Sequence, residues 1–233
     1  MRDGIDICYL CGELLDQKNI SDEHIPPRQI YARDIRKNHD LSRLITLPTH
    51  KACNQSYQKD EDYFVVSLAP FVVGSYTGRA VFDDILQQLK REEGRRLFQK
   101  SLDEFGKVIL PNGWMVKGLD PVRIPRIFWK IIRGLFFFET KRFLPENTPW
   151  FINVFGESFL QESPPLFSYV RNTPSRGKYT GAFDYKYNKI SVADQCHLWL
   201  WAMLFWDSII CMIGFPDPEH SVEDCRKVFE NLR

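Results

Sequence analysis

Two short pairs of metal-seeking side chains constrain the N-terminal part of this chain more than any other feature: Cys8-Tyr-Leu-Cys11 and His50-Lys-Ala-Cys53. A tight turn can close each pair, and together they offer four soft or borderline ligands. Zn²⁺ accepts thiolate and imidazole in a tetrahedral shell, and a full set of protein ligands marks a structural site. Gly12, directly after the second cysteine, suits the turn such a knuckle requires. The alternative is that Cys8 and Cys11 are core thiols or a redox pair. A redox CxxC opens a helix after a strand in a larger βα unit, and no such unit precedes Cys8. His39 lies in a polar Arg-Lys-Asn-His-Asp stretch that reads as exposed loop.

The first 64 residues are short turns, prolines and polar residues around a few apolar anchors, as expected of a metal-supported module. The whole chain has 233 residues, 44% of them apolar and 26% charged, so disorder and collagen-like fibres are excluded. Net charge is only +1, but it is unevenly spread. Residues 79–142 carry 14 basic and 8 acidic groups, and that basic centre can face a polyanion or form a solvated helix face. The charged N-terminus carries no secretory signal. With half of the cysteines gathered near a histidine, the expectation is a cytoplasmic protein with reduced thiols. The most apolar stretch, His197 to Phe215, is interrupted by Asp207. Its unbroken run is far below the roughly 20 residues that span a bilayer, so it reads as a buried helix or strand pair.

Helical periodicity covers Val81 to Phe105, weakened by Gly94, and again Val122 to Lys141 with a stripe from Ile127 to Phe138. Strands are expected on either side of Pro111-Asn112-Gly113, over Leu166–Arg171 and over Gly181–Tyr187. Trp199, Trp201, Phe205 and Trp206 sit at near-helical spacing and read as core or as a dimer contact. The fold class is therefore α+β: a module over residues 1–70, then a mainly helical α+β region over 71–233.

Between the cysteine pairs lies Ser21-Asp-Glu-His-Ile-Pro-Pro-Arg-Gln-Ile-Tyr31. His24 supplies a base that titrates near neutrality, Glu23 beside it can orient that base or hold a hard cation, and Pro26-Pro27 stiffen the exit. A lone histidine is more often structural. In order, CxxC, Glu23-His24-Ile25-Pro26, the apolar Leu44–Pro48 and His50-x-x-Cys53-Asn54 before Lys59-Asp-Glu-Asp-Tyr-Phe64 resemble the HNH endonucleases, a ββα-metal family. The resemblance covers about residues 6–64. It implies that His24 deprotonates the attacking water, that Glu23 and Asn54 hold a catalytic Mg²⁺ or Mn²⁺, and that Cys8, Cys11, His50 and Cys53 hold a structural Zn²⁺. It departs at the family's middle Asn, which falls near Arg43, and at its last position, which is Asn54 rather than histidine.

The implied activity is hydrolysis of phosphodiester bonds in DNA, with RNA as a further substrate. The implied setting is restriction or anti-phage defence, with a separate ATPase or sensor protein as partner, because no GxxxxGK[ST] loop occurs here. Helical spacing puts Asn54, Gln58 and Glu61 on one side, making Asp60 and Glu61 either metal-supporting groups or a solvated acidic helix end. The competing reading is a non-catalytic zinc module that binds nucleic acid or a partner protein. It would use the basic centre with Trp114, Phe128 and Trp129, and it needs no Glu23-His24.

Overall fold

The computed structural model describes residues 7–16, 18–38, 44–109, 115–155, 165–177, 179, 181–193 and 196–219. His39, Arg43 and Trp114 lie outside these. The fold is α+β, as expected. Strand β1 (Ile20–Ile25) and strand β2 (Ile45–His50) form an antiparallel hairpin, with the six-residue helix α1 (Arg33–Asn38) in the connection. Helix α2 (Lys51–Gln55) follows β2 directly, and helix α3 (Gln58–Leu68) continues it after a turn at Ser56-Tyr57. The long periodic stretch after this divides into α4 (Tyr76–Gln88) and α5 (Glu92–Asp103). The break falls before Gly94 rather than at it. Ser75 caps α4 by accepting from the Gly78 amide, which satisfies one of the free donors of the first turn.

A short ribbon, β3 (Phe105–Ile109) with β4 (Met115–Lys117), leads to the central helix α6 (Arg123–Thr140). Behind α6 lies an antiparallel sheet in the order β5-β8-β7-β6, from Phe151–Phe155, Ile209–Pro216, Cys196–Phe205 and Phe183–Ala193 respectively. The Trp-rich segment is strand β7, not helix. Trp199, Trp201, Met203 and Phe205 join the core shared with α6, while Leu198, Leu200 and Ala202 join a second cluster on the other face. Both faces of this inner strand are buried, so the period of two is hidden in a continuous apolar run. Trp206 and Asp207, at φ 52 and 53, turn β7 into β8. The Ser208 amide closes this turn by donating to Phe205 O (3.0 Å), within a three-residue connection between Phe205 and Ile209, although Trp-Asp is not a usual turn sequence.

Residues 165–171 also depart from expectation. Pro165–Phe167 is a 3₁₀ turn that runs into the helical turn α7 (Ser168–Arg171), with Val170 buried. Cys196 is disulfide-bonded, against the expectation of reduced thiols throughout.

One contiguous core runs from Cys8 to Phe215, so residues 1–70 and 71–233 share their interior. Phe64 of α3, Phe128 of α6 and Phe205 of β7 meet edge to face, with ring centroids 4.9 to 5.9 Å apart. Such pairs add about 0.5–1.5 kcal/mol each beyond the area they bury. At Gly134 a Cβ would stand 2.6 Å from Ile25 Cδ1, so only glycine lets β1 approach α6 this closely.

At the end of β8, buried Asp217 is held by Arg142 (2.6 Å) and Lys189. Burial alone would raise its carboxyl, but the hydrogen bonds from Lys189 and Arg142 prevail and bring it down to about 2. A carboxylate depressed in the folded state stabilises above its unfolded value, here 3.8, and loses that contribution as pH falls towards 2. Allowing for screening at the partly exposed cations, its expected contribution is about 1–2 kcal/mol. In urea unfolding at pH 6 and pH 2.5, Asp217→Asn should be destabilised at pH 6 and closer to the parent at pH 2.5. An equal difference at both pH values would remove Asp217 as an acid-sensitive group.

Candidate metal centre and adjoining catalytic pocket

The cysteine knuckle is built locally. An isolated bridge pairs Ile7 with Leu14, the Cys8 amide donates to Glu13 O (2.9 Å), and the Gly12 amide donates to Cys8 O (2.8 Å). Gly12 sits at φ +79, and a Cβ there would lie 2.8 Å from the Phe143 ring. Across from the knuckle, His50 ends β2 and Cys53 lies on the first turn of α2. The ligand atoms of Cys8, Cys11, His50 and Cys53 all fall within 4.8 Å of one another. These four side chains can therefore hold a metal ion.

The donor set fits zinc. A tetrahedral Zn²⁺ with bonds near 2.3 Å to sulfur places its ligand atoms about 3.8 Å apart. Cys11 Sγ is 3.3 Å from His50 Nδ1, while His50 Nε2 lies 3.0 Å from Leu14 O. Donation from Nε2–H to that carbonyl selects the tautomer whose Nδ1 lone pair faces the thiols. Without a cation, burial first, and then the neighbouring cysteines, push the Cys53 thiol up to about 12. A divalent cation at the centre removes that conflict by stabilising thiolates.

The hairpin carries the second group of residues. Glu23, His24, Asn54, Gln58 and Glu61 line one open cavity of about 240 Å³, with Arg28 at its edge. Strand β1 supplies Glu23 and His24, and the α2–α3 run supplies Asn54, Gln58 and Glu61. Both groups of sequence-expected residues are thus assembled. Cys8, Cys11, His50 and Cys53 form one cluster, and His24, Glu23 and Asn54 share one cavity. His24 is half-buried, and its imidazole is held below its ordinary value by burial and then by the Arg28 charge. Both effects favour the neutral imidazole, which has a lone pair to take up a proton. Asn54 Nδ2 donates to Ser21 Oγ (3.2 Å), which anchors the amide beside β1.

Glu61 and Asp60 part company. Asp60 accepts from Arg123 Nε (2.7 Å) and pairs with Arg126, both on α6, and so serves helix packing. Glu61 is only 5% exposed and lies in the cavity wall, which overturns its reading as part of a solvated acidic end. It and Glu23 share the ammonium of Lys130, which donates to Glu23 Oε1 at 2.7 Å. Burial raises the Glu23 carboxyl against the lowering effect of Lys130, with Glu61 adding to the rise. Three residues within little more than one turn of α6 thus touch the N-terminal module: Lys130 reaches the carboxylates, Gly134 meets Ile25, and Arg133 donates to Leu10 O in the knuckle, as well as to Leu144 O (2.9 Å).

Lys130 and Arg133 are residues to which sequence reasoning assigned no role. Their signal was present as two isolated charges inside the apolar run Ile127 to Phe138. Charges in such a setting are buried only when paired. Glu23 and Asn54 bring oxygen donors, the type that hard cations take, to this shared cavity. No helix among the described residues is long and apolar enough to cross a membrane. No protein-family model, no curated protein and no solved structure matches this chain.

Proposed function

We propose that the protein is a metal-dependent endonuclease of the HNH type, hydrolysing phosphodiester bonds in DNA. Cys8, Cys11, His50 and Cys53 hold a structural Zn²⁺ at one end of the β1–β2 hairpin, and Glu23 and Asn54 hold a Mg²⁺ or Mn²⁺ beside His24. The observation that carries this reading is the convergence of His24, Glu23 and Asn54, from a strand and the following helix, on one open cavity. Neutral His24 accepts the proton of a water positioned in the cavity. Arg28 at the edge offers a cation to a phosphate oxygen. When bound, the divalent ion supplies charge stabilisation at the scissile phosphate and the leaving oxygen. Asn54, tied to Ser21, and Glu23, tied to Lys130, are held in place before any substrate enters.

The test is nicking of supercoiled plasmid by the purified protein with Mg²⁺ or Mn²⁺, beside a chelator control. Nicked circles that disappear with chelator are the expected result. One observation favours the alternative of a non-catalytic zinc module: the Glu23 and Glu61 carboxylates already have a partner in Lys130. That module would bind DNA with salt-dependent affinity and would leave it uncut whichever divalent ion is added.

A further inference from the structure

Lys130 has a place in this pocket that a simple buried ion pair does not require. Its side chain is fully buried, and the Glu23 and Glu61 side chains are 7% and 6% exposed. The ammonium reaches Oε1 of each carboxylate, so each keeps a second oxygen. The same carboxylates line the open cavity together with His24 and Asn54, whereas Lys130 itself stands behind them. Its position is fixed from three directions. The Tyr57 ring lies 5.2 Å from Nζ, the Gly134–Ile25 contact sets the distance from α6 to β1, and Arg133 locks the same helix to the knuckle.

Two carboxyl groups thus share one ammonium at the cavity wall. Without the ammonium, a facing pair of buried carboxylates is the arrangement that chelates a divalent cation strongly. An ion drawn deep between Glu23 and Glu61 would sit away from His24 and from any phosphate in the cavity.

We propose that Lys130 is a positioning residue for the divalent ion: its ammonium holds Oε1 of Glu23, so that only the other oxygen is offered to the cavity, and its charge keeps a dication from lodging between Glu23 and Glu61. This inference rests on the divalent-ion reading of the pocket given above. Lys130 touches neither water nor phosphate and acts through Glu23.

The experiment titrates Mn²⁺ into the full-length, zinc-loaded protein and follows free Mn²⁺ by electron paramagnetic resonance, in the parent, Lys130→Gln and Glu61→Gln. Lys130→Gln is expected to bind Mn²⁺ at least about tenfold more tightly, because one adjacent positive charge is gone. It should also nick plasmid more slowly than the parent at saturating Mn²⁺. Glu61→Gln leaves a neutral Glu23–Lys130 pair and is expected to bind Mn²⁺ about tenfold more weakly. A merely structural lysine would lower thermal stability without tightening Mn²⁺ binding.

Equal or weaker Mn²⁺ binding by folded Lys130→Gln would overturn the proposal. Should that variant fail to fold, Glu61→Gln decides, and unchanged affinity there also overturns it. If Mn²⁺ affinity follows the expected order while the parent nicks no DNA, the role of Lys130 stands and the nuclease reading falls. If none of the three proteins binds Mn²⁺, both fall.

Discussion

Replacing His24 with glutamine is expected to lower plasmid nicking by at least about a hundredfold, the scale on which a positioned general base contributes. Glutamine keeps much of the side chain's volume and polarity but cannot take a proton from water near pH 7. His24 is half-buried at the cavity edge and belongs to neither hydrophobic cluster. Thermal stability and zinc content should therefore stay at the parent's values. The two readouts separate chemistry from folding. A variant that nicks at the parental rate would exclude His24 as the base, and one that also melts early would assign the histidine to the fold instead.

The second large effect is expected at Cys53. Cys53→Ala removes one of the four donor atoms grouped within 4.8 Å. Structural zinc contributes about 10–16 kcal/mol of apparent binding free energy in isolated fingers, and binding there is folding free energy. Here the core around α6 limits the damage, so the loss expected is a several-kcal/mol fall in stability rather than complete unfolding. Elemental analysis and thermal melting check it together: the parent should carry one zinc per chain, and the variant should carry less and melt earlier. Full zinc content at an unchanged melting temperature would remove Cys53 from the ligand set. Chelator treatment of the parent should reproduce the variant's melting behaviour.

What was legible in the sequence follows the range of the interactions concerned. The cysteine and histidine pairs act over three residues each, so that cluster could be read before any fold was known; His24, Glu23 and Asn54 were singled out by the resemblance to an ordered family motif, and the fold brings them to one cavity. Helix α6 was legible too, because its apolar stripe has a clear period. Strand β7 was not. Trp199 and Trp201 face one cluster while Leu198 and Leu200 face another, and burial on both faces erases alternation. Glu61 stayed undecided between two readings for a related reason. An acidic residue in a Lys-Asp-Glu-Asp stretch looks solvated, and only its remote partner, 69 residues away, shows that it is buried. The Lys130 partnership could not be read at all without the approach at Gly134.

That approach has a consequence for how the protein is made. Glu23 and Lys130 are 107 residues apart, and Leu10 and Arg133 are 123 apart. During synthesis from the N-terminus, the β1–β2 hairpin and its metal ligands are complete once Cys53 has left the ribosome. Glu23 of the hairpin and Glu61 of α3 have no counter-charge until α6 emerges, which at about 5–20 residues per second is several seconds later. The nascent chain thus passes through a stage in which the thiol centre can be loaded while the neighbouring carboxylates are still open to any cation in the cell. The arrival of a single helix ends that stage and closes both ends of the hairpin at once.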